Sequence, residues 1–264
     1  MDYIKMNKDA WEEAFDNRFE GYGENNDKYL ITKEYPFIEK AIIEELEELN
    51  LQNKRIAQFC CNNGRELLAI IKKGNNSGVG FDIAENLIKQ AKETSIKSNI
   101  PCDFVVCNIL EIDEKYYGQF DLIVITIGAL CWFKDLNQFF HMVSKCLKKH
   151  GTLIINDMHP FTNMIAMRGE EMYDVNNLTK FVYSYFKTDP FISNNGIEYM
   201  CKKEYNSKTF VSFTHTFSNI INEIVEKGMS ITKIREFEYD ISDGFEELNN
   251  KGFPLSYIIK AQKN

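Results

Sequence analysis

The chain alternates between short apolar runs and stretches in which apolar residues recur every three or four positions. Short apolar runs bounded by turn-forming residues are typical of strands, and the longer spacing is typical of amphipathic helices. The run QFDLIVITIG at 119–128 is almost continuously apolar, as expected of a strand covered on both faces. The strands predicted in this part of the chain are 55–64, which ends in a turn, 77–83, 103–109, 119–128 and 151–158.

Helical periodicity fills the gaps between these strands. The predicted helices are 36–49, with Pro36 in its first turn, 65–73, 84–97 and a segment to residue 147 that Asp135 caps. Strands that alternate with helices predict an α/β fold with a parallel, doubly wound sheet and right-handed crossovers.

The alternation breaks after residue 158. Residues 159–216 are far longer than a typical connection of about 4–6 residues and are rich in Phe and Tyr. Within them, 196–205 and 208–217 alternate apolar and polar residues, which predicts an antiparallel hairpin. We expect an aromatic-lined cap over an apolar or planar small molecule. A dimerisation surface is the alternative, so a homodimer remains open.

The last part of the chain returns to regular patterns. Residues 217–225 predict a helix that ends at Gly228, and 230–241 and 254–263 predict two final strands. We therefore expect one domain over 1–264, with a helical N-terminal segment at 1–50 and an inserted cap at 159–216.

Composition and charge narrow the function. The net charge is −8 and the sequence has no cluster of Lys and Arg, which argues against a nucleic-acid partner. The seven cysteines show no C-x-x-C spacing, which favours reduced thiols in the cytoplasm and gives no sign of a metal site. No apolar run reaches the length of a membrane span or a signal peptide, so no membrane partner is expected.

The candidate chemistry lies where successive strands end, because ligands of open α/β sheets bind outside the carboxyl ends of the strands. The turn after the first strand contains Phe59, Cys60, Asn62 and Gly64, which are small or turn-tolerant residues apart from the Phe.

Later strand ends add further polar contacts. Asp82, 18 residues after Gly64, can accept hydrogen bonds from both hydroxyls of a ribose, with Ile83 beside it. Asn108 and the backbone of Ile109 can contact an adenine, and Ile127 ends the fourth strand beneath the ligand.

These residues and three further motifs resemble the class I S-adenosylmethionine-dependent methyltransferases of the small-molecule kind. The first motif of that family has an acidic residue, an apolar one and three glycine-like positions, which here are Gln58, Phe59, Cys60, Asn62 and Gly64. The most specific match is the second motif, GVGFDIAENLIKQAK at 78–92. The segments FDLIVITIGALCWF and CLKKHGTLIINDMHP match the fourth and fifth.

The resemblance implies a Rossmann-like, seven-stranded sheet with an antiparallel C-terminal edge strand and a cap inserted after the fifth strand. It implies S-adenosylmethionine as cofactor and in-line transfer of its methyl group to a small molecule. A nicotinamide dinucleotide is the rival cofactor, but its pyrophosphate needs G-x-G-x-x-G, which C-C-N-N-G-R does not match.

The acceptor side is less defined. His159 and His215 are candidate general bases, although each fits a local structural role as well. Trp132 and Tyr22 are expected to line the acceptor site and Tyr29 to fold over the cofactor. The alternative to an active enzyme is a binding or regulatory module that keeps the fold and the cofactor without catalysis.

Overall fold

The computed structural model describes residues 2–168, 170–203 and 205–264. The helices of these ranges are α1 (Tyr3–Asp16), α2 (Asn26–Thr32), α3 (Lys40–Glu47), α4 (Arg65–Ile71), α5 (Glu85–Ser98), α6 (Leu136–Cys146), α7 (Glu198–Cys201) and α8 (Phe217–Glu226). The strands are β1 (Arg55–Phe59), β2 (Ser77–Asp82), β3 (Asp103–Val106), β4 (Phe120–Ile125), β5 (Leu147–Met158), β6 (Phe191–Ser193), β7 (Phe210–Ser212), β8 (Met229–Phe237) and β9 (Ser256–Lys263).

Seven of the strands form one mixed sheet in the order β3-β2-β1-β4-β5-β9-β8. Strands β1 to β5 pair in parallel, and β9 runs antiparallel between β5 and β8. The predicted doubly wound sheet and its C-terminal antiparallel hairpin are thus confirmed. The strand order reverses between β1 and β4, which is the switch point where such sheets bind ligands.

Apolar side chains cover both faces of the sheet. On β1, Ala57 and Phe59 belong to the core cluster beneath α6, and Ile56 belongs to the cluster beneath α4. Because side chains alternate along a strand, Gln58 lies on the same face as Ile56. This alternation brings one buried amide to the end of β1, at the edge that carries the site.

The helix before β1 starts later than predicted. The pattern suggested 36–49 with Pro36 in the first turn, but α3 begins at Lys40 and Pro36 lies in a turn. Phe37 has a φ of 68°, a left-handed conformation that no α-helix contains, so the chain turns there before the helix begins. In contrast, Asp135 caps α6 as predicted, with its carboxylate accepting from the backbone N–H of Asn137 at 2.8 Å.

The predicted hairpin of 196–205 and 208–217 is wrong. Strand β7 pairs instead with β6, and α7 occupies the middle of the first predicted strand. The reason is burial: Met200 is fully buried, and the Cys201 thiol contacts the carbonyl of Ala14 on α1 at 3.3 Å. A helical turn places both side chains against α1, which an extended strand with alternating faces would not do.

The cap is joined to α1 by the side-chain amide of Asn7, which hydrogen-bonds β7 in the way that a neighbouring strand would. The Asn7 side chain donates to the carbonyl of Val211 at 2.9 Å and accepts from its backbone N–H at 2.8 Å. Strand β7 therefore has its outer edge satisfied by α1. Helix α1, helix α7 and strand β7 together form a roof over the carboxyl edge of the sheet.

A buried carboxylate joins α3 to the C-terminal hairpin. Glu45 is fully buried, and its oxygens lie 2.8 Å from Lys233, 3.1 Å from Arg235 and 2.6 Å from Lys260. Burial alone raises the pKa of Glu45, but hydrogen bonds from the three cations lower it below its usual value.

Candidate cofactor and acceptor site

A cavity of about 570 Å³ opens at the carboxyl ends of β1, β2, β3 and β4, beneath the roof. Its volume is in the range of small-molecule sites. Ten residues predicted from the sequence line it: Cys60, Asn62, Asp82, Ile83, Asn108, Ile109, Ile127, Tyr29, Trp132 and Tyr22.

The turn after β1 has the backbone shape that glycines normally provide. The φ angles of Cys60, Asn62 and Gly64 are 54°, 50° and 70°, so all three glycine-like positions of the motif are left-handed. A side chain in that region costs about 1–2 kcal/mol, and less for Asn. The turn therefore keeps its shape although two of its glycines are replaced.

Phe59 and Gly64 shape the turn without lining the cavity. Phe59 is fully buried and packs edge-on against Phe81 at a centroid distance of 5.6 Å. At Gly64, an added Cβ would lie 2.3 Å from Cε1 of Phe104. Glycine is therefore required there by close packing as well as by its φ angle.

Asp82 stands at the end of β2 and ties the turn to the next helix. Its Oδ2 accepts from the N–H of Asn62 at 2.7 Å and its Oδ1 from the N–H of Ala84 at 3.0 Å. Burial raises the pKa of Asp82, and the backbone N–H groups partly oppose that rise. A carboxylate has about four acceptor sites, so lone pairs remain for ligand hydroxyls.

Asn108 follows β3 by two residues, because the strand ends earlier than predicted, at Val106. Its side-chain carbonyl accepts from the N–H of Leu110 at 3.1 Å and caps a short 3₁₀ turn that begins at Ile109. The cap fixes the amide at the cavity wall.

The floor of the cavity follows β4 and is anchored by a buried acid on β5. Asp157 accepts from the N–H of Gly128 at 2.7 Å and from that of Met158 at 2.8 Å. Burial raises the pKa of Asp157 to about 6, against the effect of the backbone donors. A Cβ added at Gly128 would meet nothing within 4 Å, so the floor is open towards the cavity at this point.

The cavity wall between β1 and β4 is polar. The Gln58 amide donates to Glu66 Oε2 at 2.8 Å and to Thr126 Oγ1 at 2.9 Å. The Thr126 hydroxyl donates to the same Glu66 oxygen at 2.6 Å. Gln58 is 1% exposed, and its carbonyl oxygen has no partner in the described part of the chain.

Two tyrosines lie over the turn that follows β1. The hydroxyl of Tyr199, from the cap, accepts from the Asn62 amide at 3.3 Å, and its ring lies 6.5 Å from that of Tyr22. Burial raises the pKa of both tyrosines. The N-terminal segment and the cap thus meet above the end of the cavity that the turn after β1 forms.

Part of the cavity wall is aromatic. Trp11 and Trp132 pack edge-on at 5.5 Å, and Phe210 lies 5.7 Å from Trp11 and 5.9 Å from Trp132. The two tryptophans, the only ones in the sequence, both line the cavity. We call the part of the cavity beside Trp11 and Trp132 the aromatic chamber.

Neither candidate base contributes to the cavity wall. His159 caps a 3₁₀ turn: its Nδ1 accepts from the N–H of Phe161 at 3.0 Å, and its Nε2 lies 3.0 Å from Glu236 Oε1. His215 donates through Nε2 to the carbonyl of Phe133 at 2.9 Å. Burial lowers the pKa of both histidines. Both side chains are held in contacts outside the cavity wall, so the structure gives no support to a general base at either position.

The lining residues that escaped the sequence reasoning include Trp11, Arg65, Glu66 and Tyr199. Trp11 and Tyr199 come from segments that are distant in sequence, and only the packing of α7 on α1 brings them to the cavity. Arg65 and Glu66 directly follow Gly64, so their place after the turn was a usable signal.

Within the described ranges, no group of three or more His, Cys, Asp or Glu residues could hold a metal ion. All seven cysteines are free thiols, and burial raises the pKa of Cys60 and Cys131 near the floor. In the same ranges no helix combines the length and the apolar character needed to cross a bilayer.

The strand order with an antiparallel β9, together with a cavity at the switch point, is the architecture of a class I S-adenosylmethionine-dependent methyltransferase. A sequence model of the family described as "Methyltransferase domain" matches residues 50–213, more than half of the chain. The chain belongs to this family.

Similar proteins agree with this assignment. Malonyl-[acyl-carrier protein] O-methyltransferase 2 of Coxiella burnetii is 29% identical over 141 residues, 53% of this chain and 53% of that protein. The chain thus spans about half the length of this relative. A S-adenosylmethionine-dependent methyltransferase structure from Methanosarcina mazei has a TM-score of 0.59 at 18% identity, over 84% of this chain and 96% of that one.

Another similar structure is geranyl diphosphate C-methyltransferase from Streptomyces coelicolor, in complex with Mg²⁺, geranyl diphosphate and S-adenosyl-L-homocysteine. Its TM-score is 0.63 at 12% identity, over 100% of this chain and 99% of that one. At such identities the likeness shows the fold. Together with the family match, it confirms the predicted class of enzyme, its fold and its cofactor.

Proposed function

We propose that the cavity binds S-adenosylmethionine along the ends of β1 to β4 and transfers its methyl group to a small molecule held in the aromatic chamber. The observation that carries this proposal is the continuity of the cavity from Asp82 to Trp11 and Trp132. A nucleoside site and an apolar acceptor site then share one cavity.

The residues present suit the cofactor. Asp82 offers acceptor sites for ribose hydroxyls, and Asn108 and Ile109 lie where the next strand ends. The open space at Gly128 and the polar wall of Gln58 and Glu66 suit a methionine chain that runs across the floor.

When bound, S-adenosylmethionine supplies an electrophilic methyl group on a sulfonium. The chain's own contribution is to bind, orient and exclude water. Asp157 holds the floor at Gly128, and Tyr22 and Tyr199 cover the turn, so that the acceptor atom and the methyl group are kept in line. With both histidines engaged elsewhere, we propose an acceptor atom that carries a free lone pair or loses its proton to water.

Three features support a small acceptor. The cavity is of small-molecule size, its acceptor wall is aromatic, and the chain carries a net charge of −8, which disfavours nucleic acid. The Streptomyces coelicolor structure contains a small molecule, geranyl diphosphate. Seven free cysteines support a reducing, cytoplasmic location.

The proposal is tested by incubating the protein with methyl-labelled S-adenosylmethionine and a metabolite extract. We expect label in a low-molecular-weight product, and an Asp82→Ala variant should lose most of it through weaker cofactor binding. A protein that binds the cofactor but labels no metabolite would instead be the non-catalytic module. Label in protein or nucleic acid would refute the small-molecule acceptor.

A further inference from the structure

The polar wall of the cavity contains one carboxylate and two groups that orient it. Glu66 Oε2 accepts from the Gln58 amide at 2.8 Å and from the Thr126 hydroxyl at 2.6 Å. Both donors reach the same oxygen, so the side chain is held in one orientation while Oε1 keeps its acceptor capacity. A carboxylate held in this way at a cavity wall is prepared to meet a positively charged donor.

The Gln58 side chain gives a second, independent indication. It is almost fully buried and lines the cavity, and its carbonyl oxygen has no donor among the described residues. Buried polar groups nearly always have a partner, so an unsatisfied carbonyl beside a carboxylate points to a donor that the ligand brings.

The residue at position 58 departs from the first motif of the family. Position 58 is the acidic position of the first motif that this chain resembles, and here it is an uncharged Gln. A Glu at 58 would place two carboxylates about 3 Å apart, which strongly disfavours ionisation of both. The Gln58 and Glu66 pair therefore has one carboxylate, which lies in the first turn of α4 instead of on β1.

We propose that Glu66 binds the α-ammonium group of the cofactor's methionine portion, with Gln58 and Thr126 as positioning residues. This inference rests on the proposed function, because it assumes that S-adenosylmethionine occupies the cavity. The α-ammonium group is the part of that cofactor that is both cationic and a hydrogen-bond donor. It would supply the donor that the Gln58 carbonyl lacks and the positive charge that suits the Glu66 carboxylate.

Calorimetric titration with two ligands tests the inference. One is S-adenosylhomocysteine, and the other is its deaminated analogue, which keeps the carboxylate but has no ammonium group. Glu66→Gln should weaken S-adenosylhomocysteine about 10- to 100-fold, the size of one charge-assisted hydrogen bond, and change the analogue less than about threefold. Thr126→Val should give a smaller loss that is again confined to the ligand with the amino group.

A swap variant is the matched control. Gln58→Glu combined with Glu66→Gln restores one carboxylate to the pair and should recover most of the lost affinity, while Gln58→Glu alone should not bind better than the native protein. Unchanged S-adenosylhomocysteine affinity in Glu66→Gln, or equal loss for both ligands, would overturn the assignment. Failure of the native protein to bind either ligand would refute the proposed function itself.

Discussion

In the turn after β1, the closest packing is that of Gly64 against Phe104, and it gives a quantitative prediction for stability. A Cβ at Gly64 would lie 2.3 Å from Cε1 of Phe104 and 3.0 Å from the Cβ of Ala91. The φ of 70° adds a left-handed penalty of about 1–2 kcal/mol, and overpacking adds about 1–3 kcal/mol. Gly64→Ala should therefore lower the free energy of unfolding by about 2–5 kcal/mol.

Gly118→Ala separates the two contributions. Gly118 has a φ of 62°, but a Cβ there would meet nothing within 4 Å. This variant should show only the left-handed penalty. Urea unfolding of both variants, with unchanged m-values, measures the difference, which should be about 1–3 kcal/mol.

A double variant tests the named contact. In Gly64→Ala with Phe104→Leu, the shorter side chain leaves room for the new methyl group. The combined loss should be smaller than the sum of the single losses by at least about 1 kcal/mol. Equal destabilisation by Gly64→Ala and Gly118→Ala, or strict additivity in the double variant, would refute the packing argument.

Three further predictions concern buried charges and the aromatic chamber. Because the pKa of Asp157 is raised to about 6, the native protein should lose about 2 kcal/mol of stability relative to Asp157→Asn as the pH rises from 4 to 8, measured by urea unfolding; a constant difference would contradict the burial of this charge. Glu45→Gln should cost about 2–3 kcal/mol at pH 7 because it removes the buried carboxylate that three cations share and leaves them only their more exposed partners Glu44 and Glu48, and the cost should fade as the pH drops through the lowered pKa of Glu45, whereas exposed Glu48→Gln should cost less in the same assay. Since Trp11 and Trp132 both line the cavity, the acceptor should change the intrinsic fluorescence of the complex with S-adenosylhomocysteine, and a methylated acceptor that leaves the emission unchanged would place its site elsewhere.

The sheet and the part of the cavity wall at the ends of β1 to β4 were predictable because they depend on local patterns. Asp82 ends its strand, Asn108 and Ile127 follow theirs by two residues, and parallel strands bring such ends to one edge. The turn after β1 was predictable for the same reason. Its left-handed Cys60 shows that the backbone keeps the conformation of the motif where the glycine is replaced.

The cap was not predictable, because its structure is set by contacts distant in sequence. Residues 196–205 alternate like a strand, but burial of Met200 and Cys201 against α1 favours a helical turn. His159 and His215 follow elements that lead towards the site, yet capping and a carbonyl hydrogen bond turn their nitrogens to other partners.

The central claim is that adjacent strand ends hold the adenosine of S-adenosylmethionine. A crystal structure with S-adenosylhomocysteine tests it most directly. We predict both ribose hydroxyls within hydrogen-bond distance of the Asp82 carboxylate, the adenine beside Asn108 and Ile109, and the sulfur facing Trp132 across Gly128. A ligand bound elsewhere, or a ribose that leaves Asp82 without contact, would contradict the account.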